Sequence, residues 1–177
     1  MQEKQLLKAC LEGNDIALRK LYETHKVRLF MICLRYSRDR SEAEDILQEG
    51  FIKIFKDLKQ YSGKGSLAGW MRKVMVHTAL NQLRKRKGKY TFIEEEDAGA
   101  FPPSEDITFS RLSAQEITAM IQQLPDGYRT VFNLYGIEGY THKEIAEMLG
   151  ISESTSKTQL FKAKRILKKK LESFILN

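Results

Sequence analysis

The chain has 177 residues, of which 42% are hydrophobic, and a formal net charge of +7. This length can bury one ordinary core or two small ones. Because no apolar run approaches the ~20 residues that span a bilayer and the N-terminus lacks a signal-peptide pattern, we expect a cytoplasmic protein without stable membrane insertion.

Apolar periodicity predicts two groups of helices. The first group covers residues 3–11, 14–37, 41–58 and 67–86, and the second covers 114–123, 126–135, 142–149 and 153–173. The intervening stretch contains the acidic run 94–97 and the prolines at 102 and 103, so it cannot supply a packed apolar face. We therefore predict an all-α protein of two small domains, 1–90 and 114–177, joined by a flexible acidic linker, 91–113.

Positive charge is concentrated in the first predicted domain. Residues 1–90 carry 20 Lys and Arg against 10 Asp and Glu, residues 91–113 carry 1 against 6, and residues 114–177 carry 9 against 7. A basic module attracts polyanions through counterion release, so nucleic acid is the leading partner and an anionic membrane surface the second. Because the cysteines and histidines have no ligand spacing, we expect no metal and no cofactor.

The predicted helix over 41–58 carries apolar residues on more than one face. Asp45, Gln48, Glu49 and Ile52 follow i, i+3, i+4, i+7 spacing and form one mixed polar and apolar strip. Such a strip suits docking against a partner helix, and the alternative is an acidic solvated face.

A Gly/Ser loop follows this helix and leads into a second one, which ends in the basic run 84–87. Gly63 and Gly65 permit close backbone approach, Tyr61 offers a stacking face, and Lys64 can neutralise a phosphate. The loop can therefore fold around a nucleotide removed from the base stack. Trp70, at the start of the next helix, is expected in the core, and the basic run is expected to track phosphates.

The second domain contains the pattern of a helix-turn-helix. Thr141 and Glu144 form a capping box, Gly150 supplies the positive φ that ends a short helix, and Ser152 caps a longer one. On the longer helix an apolar stripe leaves the opposite face to side chains that can reach phosphates and base edges. These are Ser154, Thr155, Thr158, Phe161, Lys162 and Arg165, flanked by Lys157 and Gln159.

Residues 124–132 and 150–158 resemble region 4 of the extracytoplasmic-function (ECF) sigma factors. Residues 42–55, with the motif D-x-x-Q-E-x-F, resemble region 2.2 of sigma factors, and the loop and helix that follow resemble regions 2.3 and 2.4. The resemblance implies a subunit without catalytic activity that brings RNA polymerase to promoters. The implied partners are core RNA polymerase, through its β′ clamp helices and β flap, promoter DNA and an anti-sigma factor.

The resemblance also assigns residues to each interaction. The set implied for polymerase binding is Asp45, Gln48, Glu49, Phe51 and Ile52. The set implied for the minus-10 element is Tyr61, Ser62, Gly63, Lys64, Ser66, Leu67, His77, Asn81, Arg84 and Arg86. The set implied for the minus-35 element is Ser154, Thr155, Lys157, Thr158, Gln159 and Lys162.

Two residues of the second domain depart from the family pattern. Ser156 stands where the family usually places an apolar residue such as Val; its hydroxyl can bond the carbonyl four residues back, so we expect the helix to survive. Gln159 stands where Arg is common, which leaves the preferred base sequence open.

Two other functions compete with the sigma factor. A one-component helix-turn-helix regulator would need a ligand pocket or a phosphoacceptor domain, and the first domain has the pattern of neither. A recombinase-like enzyme would need converging carboxylates for two-metal chemistry, whereas those at 42–49 lie on one helix. The sigma factor is the favoured interpretation, and the linker either takes the place of region 3 or is a plain spacer.

Overall fold

The computed structural model describes residues 3–87 and 113–175, without the side chains at 86, 87 and 175. All regular elements in these ranges are helical, and the chain divides into an N-terminal unit, Met1–Gly88, and a C-terminal unit, Lys89–Asn177. The predicted all-α fold of two small helical domains is therefore confirmed. The predicted acidic linker lies outside the described residues except for Ser113. Across the described ranges, no helix has the length and apolar character needed to cross a membrane.

The N-terminal unit contains four α-helices. They are α1 (Glu3–Leu11), α2 (Asp15–Tyr36), α3 (Arg40–Asp57) and α4 (Leu67–Lys87), with a 3₁₀ turn at Leu58–Gln60 after α3. Asn14 accepts a hydrogen bond from the Ala17 amide to start α2, and Asp39 does the same for Glu42 to start α3. Helices α2, α3 and α4 each pack on the other two, and α1 packs on α2.

Gly50 on α3 faces the side chain of Met75 on α4. A Cβ at this position would collide with the Sδ and Cε atoms of Met75 on α4, so a larger residue would require this buried side chain to move. The surrounding core is apolar and includes Cys33, whose burial raises the pKa of its thiol to about 12. This thiol is therefore an inert packing group.

The C-terminal unit is built around its longest helix. Its elements are α5 (Ala114–Gln122), α6 (Asp126–Phe132), a π-helical turn (Asn133–Ile137), α7 (His142–Leu149) and α8 (Glu153–Ile175). Helix α8 packs on α5, α6 and α7. The sequence predicted a continuous α-helix over 126–135, whereas α6 ends at Phe132 and continues as a π turn, with the Glu138 amide donating to the Asn133 carbonyl.

A buried guanidinium closes the α5–α6 connection. Arg129 is 1% exposed, and its Nη1 atom donates to the carbonyls of Gln122 and Leu124 at 2.8 and 3.1 Å. Its Nη2 atom lies 2.5 Å from Oδ1 of Asp126. These bonds satisfy carbonyls that the end of α5 would otherwise leave unpaired.

Replacing Arg129 by Met should destabilise the C-terminal unit by about 3–5 kcal/mol, because a buried carboxylate and two carbonyls lose their donor. Urea unfolding of the full chain, followed by far-UV circular dichroism and by amide exchange in α6, measures the loss. The matched control is Arg165→Met at an exposed position of α8, which should change stability by only about 0.5 kcal/mol. Equal stability of the two variants would contradict a structural role for Arg129.

Candidate functional site

The strip predicted on α3 is partly exposed. Asp45, Gln48 and Ile52 lie on the surface, and Ile52 is 66% exposed although it is a large apolar residue. Phe51, in contrast, is buried, with its ring centroid 4.6 Å from that of Tyr22 on α2. Phe51 therefore belongs to the α2–α3 core, which corrects its assignment as a direct polymerase contact.

Glu49 joins α3 to α4. Its Oε2 atom accepts a hydrogen bond from Nε2 of Gln82 at 2.6 Å, and its Oε1 atom lies 3.2 Å from Nζ of Lys53 and 3.4 Å from Nζ of Lys85. Burial by itself would raise the pKa of Glu49, but the hydrogen bond and charge of Lys53, together with Lys85, hold this pKa below its ordinary value. Glu49 is thus half-buried and tied within the unit, unlike the rest of the strip.

The loop between α3 and α4 is closed by its own tyrosine. The hydroxyl of Tyr61 donates to the carbonyl of Gly65 at 2.8 Å, and its ring lies at 5.8 Å and 45° to the ring of Trp70. Gly63 and Gly65 adopt φ of 75° and 79°, which other residues rarely adopt. Trp70 is partly buried against this loop, and its place in the core stays a prediction.

Most residues assigned to the minus-10 element lie on or near the surface of this loop and of α4. Ser62, Gly63, Lys64, Ser66, His77 and Arg84 are exposed, and Asn81 is half-buried. Leu67 is fully buried and belongs to the core, which corrects its assignment as a DNA contact. The side chain of Arg86 lies outside the described residues.

The environment of the α4 surface is electropositive. Partial desolvation lowers the pKa of His77, and the charges of Arg84, Lys73 and Lys53 lower it further. The Asn81 side-chain oxygen accepts a hydrogen bond from Nη1 of Arg84 at 3.0 Å. The positive charges that lower the pKa of His77 also attract a polyanion to this surface.

A basic cavity that the sequence analysis missed lies between α2 and the start of α4. It has a volume of about 520 Å³, and its lining includes His25, Arg28, Arg35, Ser66 and Arg72. No Asp or Glu occurs among the described residues that line it. The arginines come from two helices separated by a third, so no local motif could have predicted their convergence.

The helix-turn-helix of the C-terminal unit forms through local capping. The Thr141 hydroxyl accepts from the Glu144 amide while the Glu144 carboxylate accepts from the Thr141 amide, which confirms the predicted capping box. Gly150 ends α7 with φ of 68°, as predicted. The Ser152 hydroxyl then accepts from the Thr155 amide at 2.9 Å and starts α8.

The face of α8 that the sequence predicts to contact DNA is smaller in the structure. Ser154 and Lys157 are exposed, and Thr155 and Lys162 are half-buried. Thr158 and Gln159 are 6% and 5% exposed, and the Thr158 hydroxyl donates to the Ser154 carbonyl of its own helix. Their assignment as base-contacting residues is therefore corrected. Gln159 lies beside Leu160 on the inward side of the helix, where side chains face the packed core.

Ser156 forms a different hydrogen bond from the one that the sequence suggests. Its hydroxyl lies 2.9 Å from Nδ1 of His142 on α7, instead of bonding the carbonyl four residues back. A bond within α8 follows only if the helix is considered in isolation. In the structure the side chain faces α7, where His142 provides the partner.

Two helical units, one with a basic surface and an exposed strip and the other with a helix-turn-helix, define a DNA-binding protein. Comparisons with known proteins agree with this class. Residues 21–89 match sigma-70 region 2, and residues 114–167 match sigma-70 region 4. The chain belongs to the sigma-70 family and is an RNA polymerase sigma factor of the ECF type.

Similar proteins match nearly the whole chain. The ECF RNA polymerase sigma factor SigW of Bacillus subtilis is 27% identical and matches over 97% of both chains. The RNA polymerase sigma-H factor of Pseudomonas aeruginosa is 28% identical over 98% of this chain and 96% of that protein. The fold resembles that of CnrH in complex with the cytosolic domain of CnrY, with a TM-score of 0.51, 19% identity and 97% coverage of both chains.

A second solved structure has a similar fold. It is the sigma factor RpoE in complex with the anti-sigma factor NepR from Bartonella quintana, with a TM-score of 0.53 and 20% identity. The likeness covers 87% of this chain and 96% of that one.

Glu49→Gln should reduce the acid sensitivity of the N-terminal unit. The folded state lowers the pKa of Glu49 and so favours the ionised carboxylate. Its stabilising contribution is complete above the ordinary value near 4.5 and is lost as the pH falls through the lower pKa of the folded state. Urea unfolding of both proteins between neutral and acid pH should therefore show a stability difference that shrinks on acidification.

The control for this experiment is Glu44→Gln, which removes an exposed carboxylate that pairs with Arg40 on the same helix. Exposed pairs contribute little, so this variant should follow the parent across the range. A Glu49→Gln variant that also follows the parent would show that the α3–α4 bridge does not stabilise the fold.

Proposed function

We propose that the exposed strip of α3, comprising Asp45, Gln48 and Ile52, binds the β′ clamp helices of core RNA polymerase. The observation that carries this proposal is the exposure of Ile52 between two polar side chains on the side of α3 opposite Gly50. A large apolar residue beside polar ones is the composition of a helix that docks on another helix. Glu49 supports the strip from within by holding α4 against α3.

The loop from Tyr61 to Ser66 is proposed to receive an extruded base of the minus-10 element. Its closure by Tyr61 and its two glycines leave backbone accessible at a preformed turn. The basic cavity beside it provides Arg28, Arg35 and Arg72 as candidate phosphate contacts, and Asn81 and Arg84 extend the positive surface along α4. The chain would thereby hold one opened strand by both its bases and its backbone.

Helix α8 is proposed to enter the major groove at the minus-35 element through its N-terminal turns. Ser154 and Thr155 are placed to approach base edges, and Lys157 and Lys162 to contact phosphates. This division separates sequence preference from general affinity, because phosphate contacts carry no direct sequence information. In this proposal the buried side chains of Thr158 and Gln159 pack within the unit and do not contact bases.

The proposed partners follow from the same function. They are core polymerase, through the β′ clamp helices and the β flap, promoter DNA and an anti-sigma factor. An anti-sigma partner is supported by the RpoE–NepR complex, whose sigma factor shares the fold. The protein would act in the cytoplasm, where transcription takes place, as a binding factor without catalytic activity of its own.

Ile52→Arg should weaken binding to core polymerase at least about tenfold, because a desolvated apolar contact of this kind contributes a large share of binding energy at an interface. The matched control is Ile16→Arg on α2, where an isoleucine is 80% exposed. Both changes are at the surface, so both proteins should fold. Co-purification and titration with core enzyme measure the effect, and equal binding by the two variants would exclude the α3 strip.

The double change Tyr61→Ala with Lys64→Ala should reduce open complexes on duplex promoters about tenfold or more, because one stacked base contributes ~1–3 kcal/mol. A template already mismatched across the minus-10 element should recover part of the loss, since the cost of unpairing has been removed. Permanganate footprinting of unpaired thymines measures both templates.

Two further variants test the Tyr61 hydrogen bond and a lysine beside the loop separately. Tyr61→Phe removes only the hydrogen bond to Gly65, and Lys59→Ala removes an exposed lysine beside the loop. Lys59→Ala should open promoters as the parent does. Normal opening by the double variant would show that the loop is a simple connector.

A further inference from the structure

A hydrogen bond between side chains joins α7 to α8. The Nδ1 atom of His142, the first residue of α7, lies 2.9 Å from the hydroxyl of Ser156 in the second turn of α8. The imidazole also stacks on Tyr135, with ring centroids 4.4 Å apart and an angle of 19°. Three successive elements, the π turn, α7 and α8, therefore meet at one imidazole.

Ser156 is buried in α8 directly between two residues of the face that is proposed to approach DNA. Ser156 has no exposed surface, so its hydroxyl requires a partner inside the unit, and His142 provides one. Its neighbours in sequence, Thr155 and Lys157, lie on the face proposed to approach DNA. Fixing the inward side chain of Ser156 therefore fixes the rotation of the turn that presents both neighbours.

A hydrogen bond constrains this turn differently from apolar packing. Two apolar side chains tolerate small rotations and translations, whereas a hydrogen bond weakens when its distance or angle changes. The ring itself is held in place by the stack on Tyr135, which the π turn brings to this position. Partial burial, and then the charge of Lys157, hold the pKa of His142 below its ordinary value despite Glu153, so the neutral ring with one donor and one acceptor nitrogen is favoured.

We propose that His142 and Ser156 form a positioning pair that sets the orientation of the first turns of α8 and thereby determines the sequence preference at the minus-35 element. Tyr135 supports the pair by restricting the imidazole. This proposal rests on the proposed reading role of α8 and adds residues that touch no base. The pair should act on discrimination between sequences and leave general DNA affinity unchanged.

The experiment is a double-mutant cycle in the full-length chain. His142→Phe retains a ring for the stack on Tyr135 but removes Nδ1, and Ser156→Ala removes the hydroxyl. Each protein is titrated at fixed salt with a duplex selected by the parent and with a scrambled duplex of equal length, using fluorescence anisotropy. Each single change should lower the preference for the selected duplex about fivefold, the size expected for one hydrogen bond, and the double variant should lose no more than either single variant.

Two variants serve as conservative and matched controls. His142→Asn places an amide near the Nδ1 position and should recover part of the preference. Ser173→Ala makes the same substitution on the same helix about 25 Å along its axis and should leave the preference unchanged. Circular dichroism of each variant should equal that of the parent.

A spectroscopic readout tests the contact without DNA. The ¹⁵N shifts of the imidazole nitrogens report the tautomer ratio of His142, and Ser156→Ala should change this ratio because the partner of Nδ1 is removed. Ser173→Ala should not. An unchanged ratio in Ser156→Ala would overturn the pair.

The DNA titrations distinguish the remaining outcomes. Variants that keep the parent's preference, or single effects that add in the double variant, overturn the pair alone. An equal loss on selected and scrambled DNA, accompanied by lost helicity, overturns positioning in favour of simple stability. A parent that shows no sequence preference overturns both the pair and the reading role of α8.

Discussion

The close contact between α3 and α4 is the constraint on which the N-terminal unit depends. Gly50 leaves space on α3 for the buried side chain of Met75 on α4, although glycine within a helix costs about 1 kcal/mol relative to alanine. Glu49 adds polar contacts between the same two helices, because its carboxylate accepts hydrogen bonds from Gln82 and Lys85 on α4. Gln48 and Ile52 lie on the opposite side of α3, so the contact that buries one face of this helix leaves the other exposed.

The sequence predicted the elements that depend on local chemistry. The helix starts at Thr141 and Ser152 and the end at Gly150 follow from hydrogen bonds and backbone angles within a few residues, so a motif is sufficient to locate them. The same applies to the all-helical composition and to the exposed loop glycines. These features require no knowledge of which helix packs on which.

The assignments that the structure corrects depend on tertiary packing instead of local chemistry. Phe51, Leu67, Thr158 and Gln159 stand in motifs associated with binding, yet each is buried. The face that a helix turns inward depends on its tertiary neighbours, and the periodicity of an apolar stripe defines that face only to within a residue or two. Contacts between distant residues, such as the arginines of the basic cavity and the His142–Ser156 bond, leave no local pattern at all.

The packing of Trp70 against Tyr61 also gives the protein an optical property. Trp70 is the only tryptophan of the chain, and it is half-buried beside the loop proposed to receive a base. Indole emission responds to the polarity around the ring and to aromatic groups stacked on it. Rearrangement of the loop would therefore change the intrinsic fluorescence of the unlabelled protein.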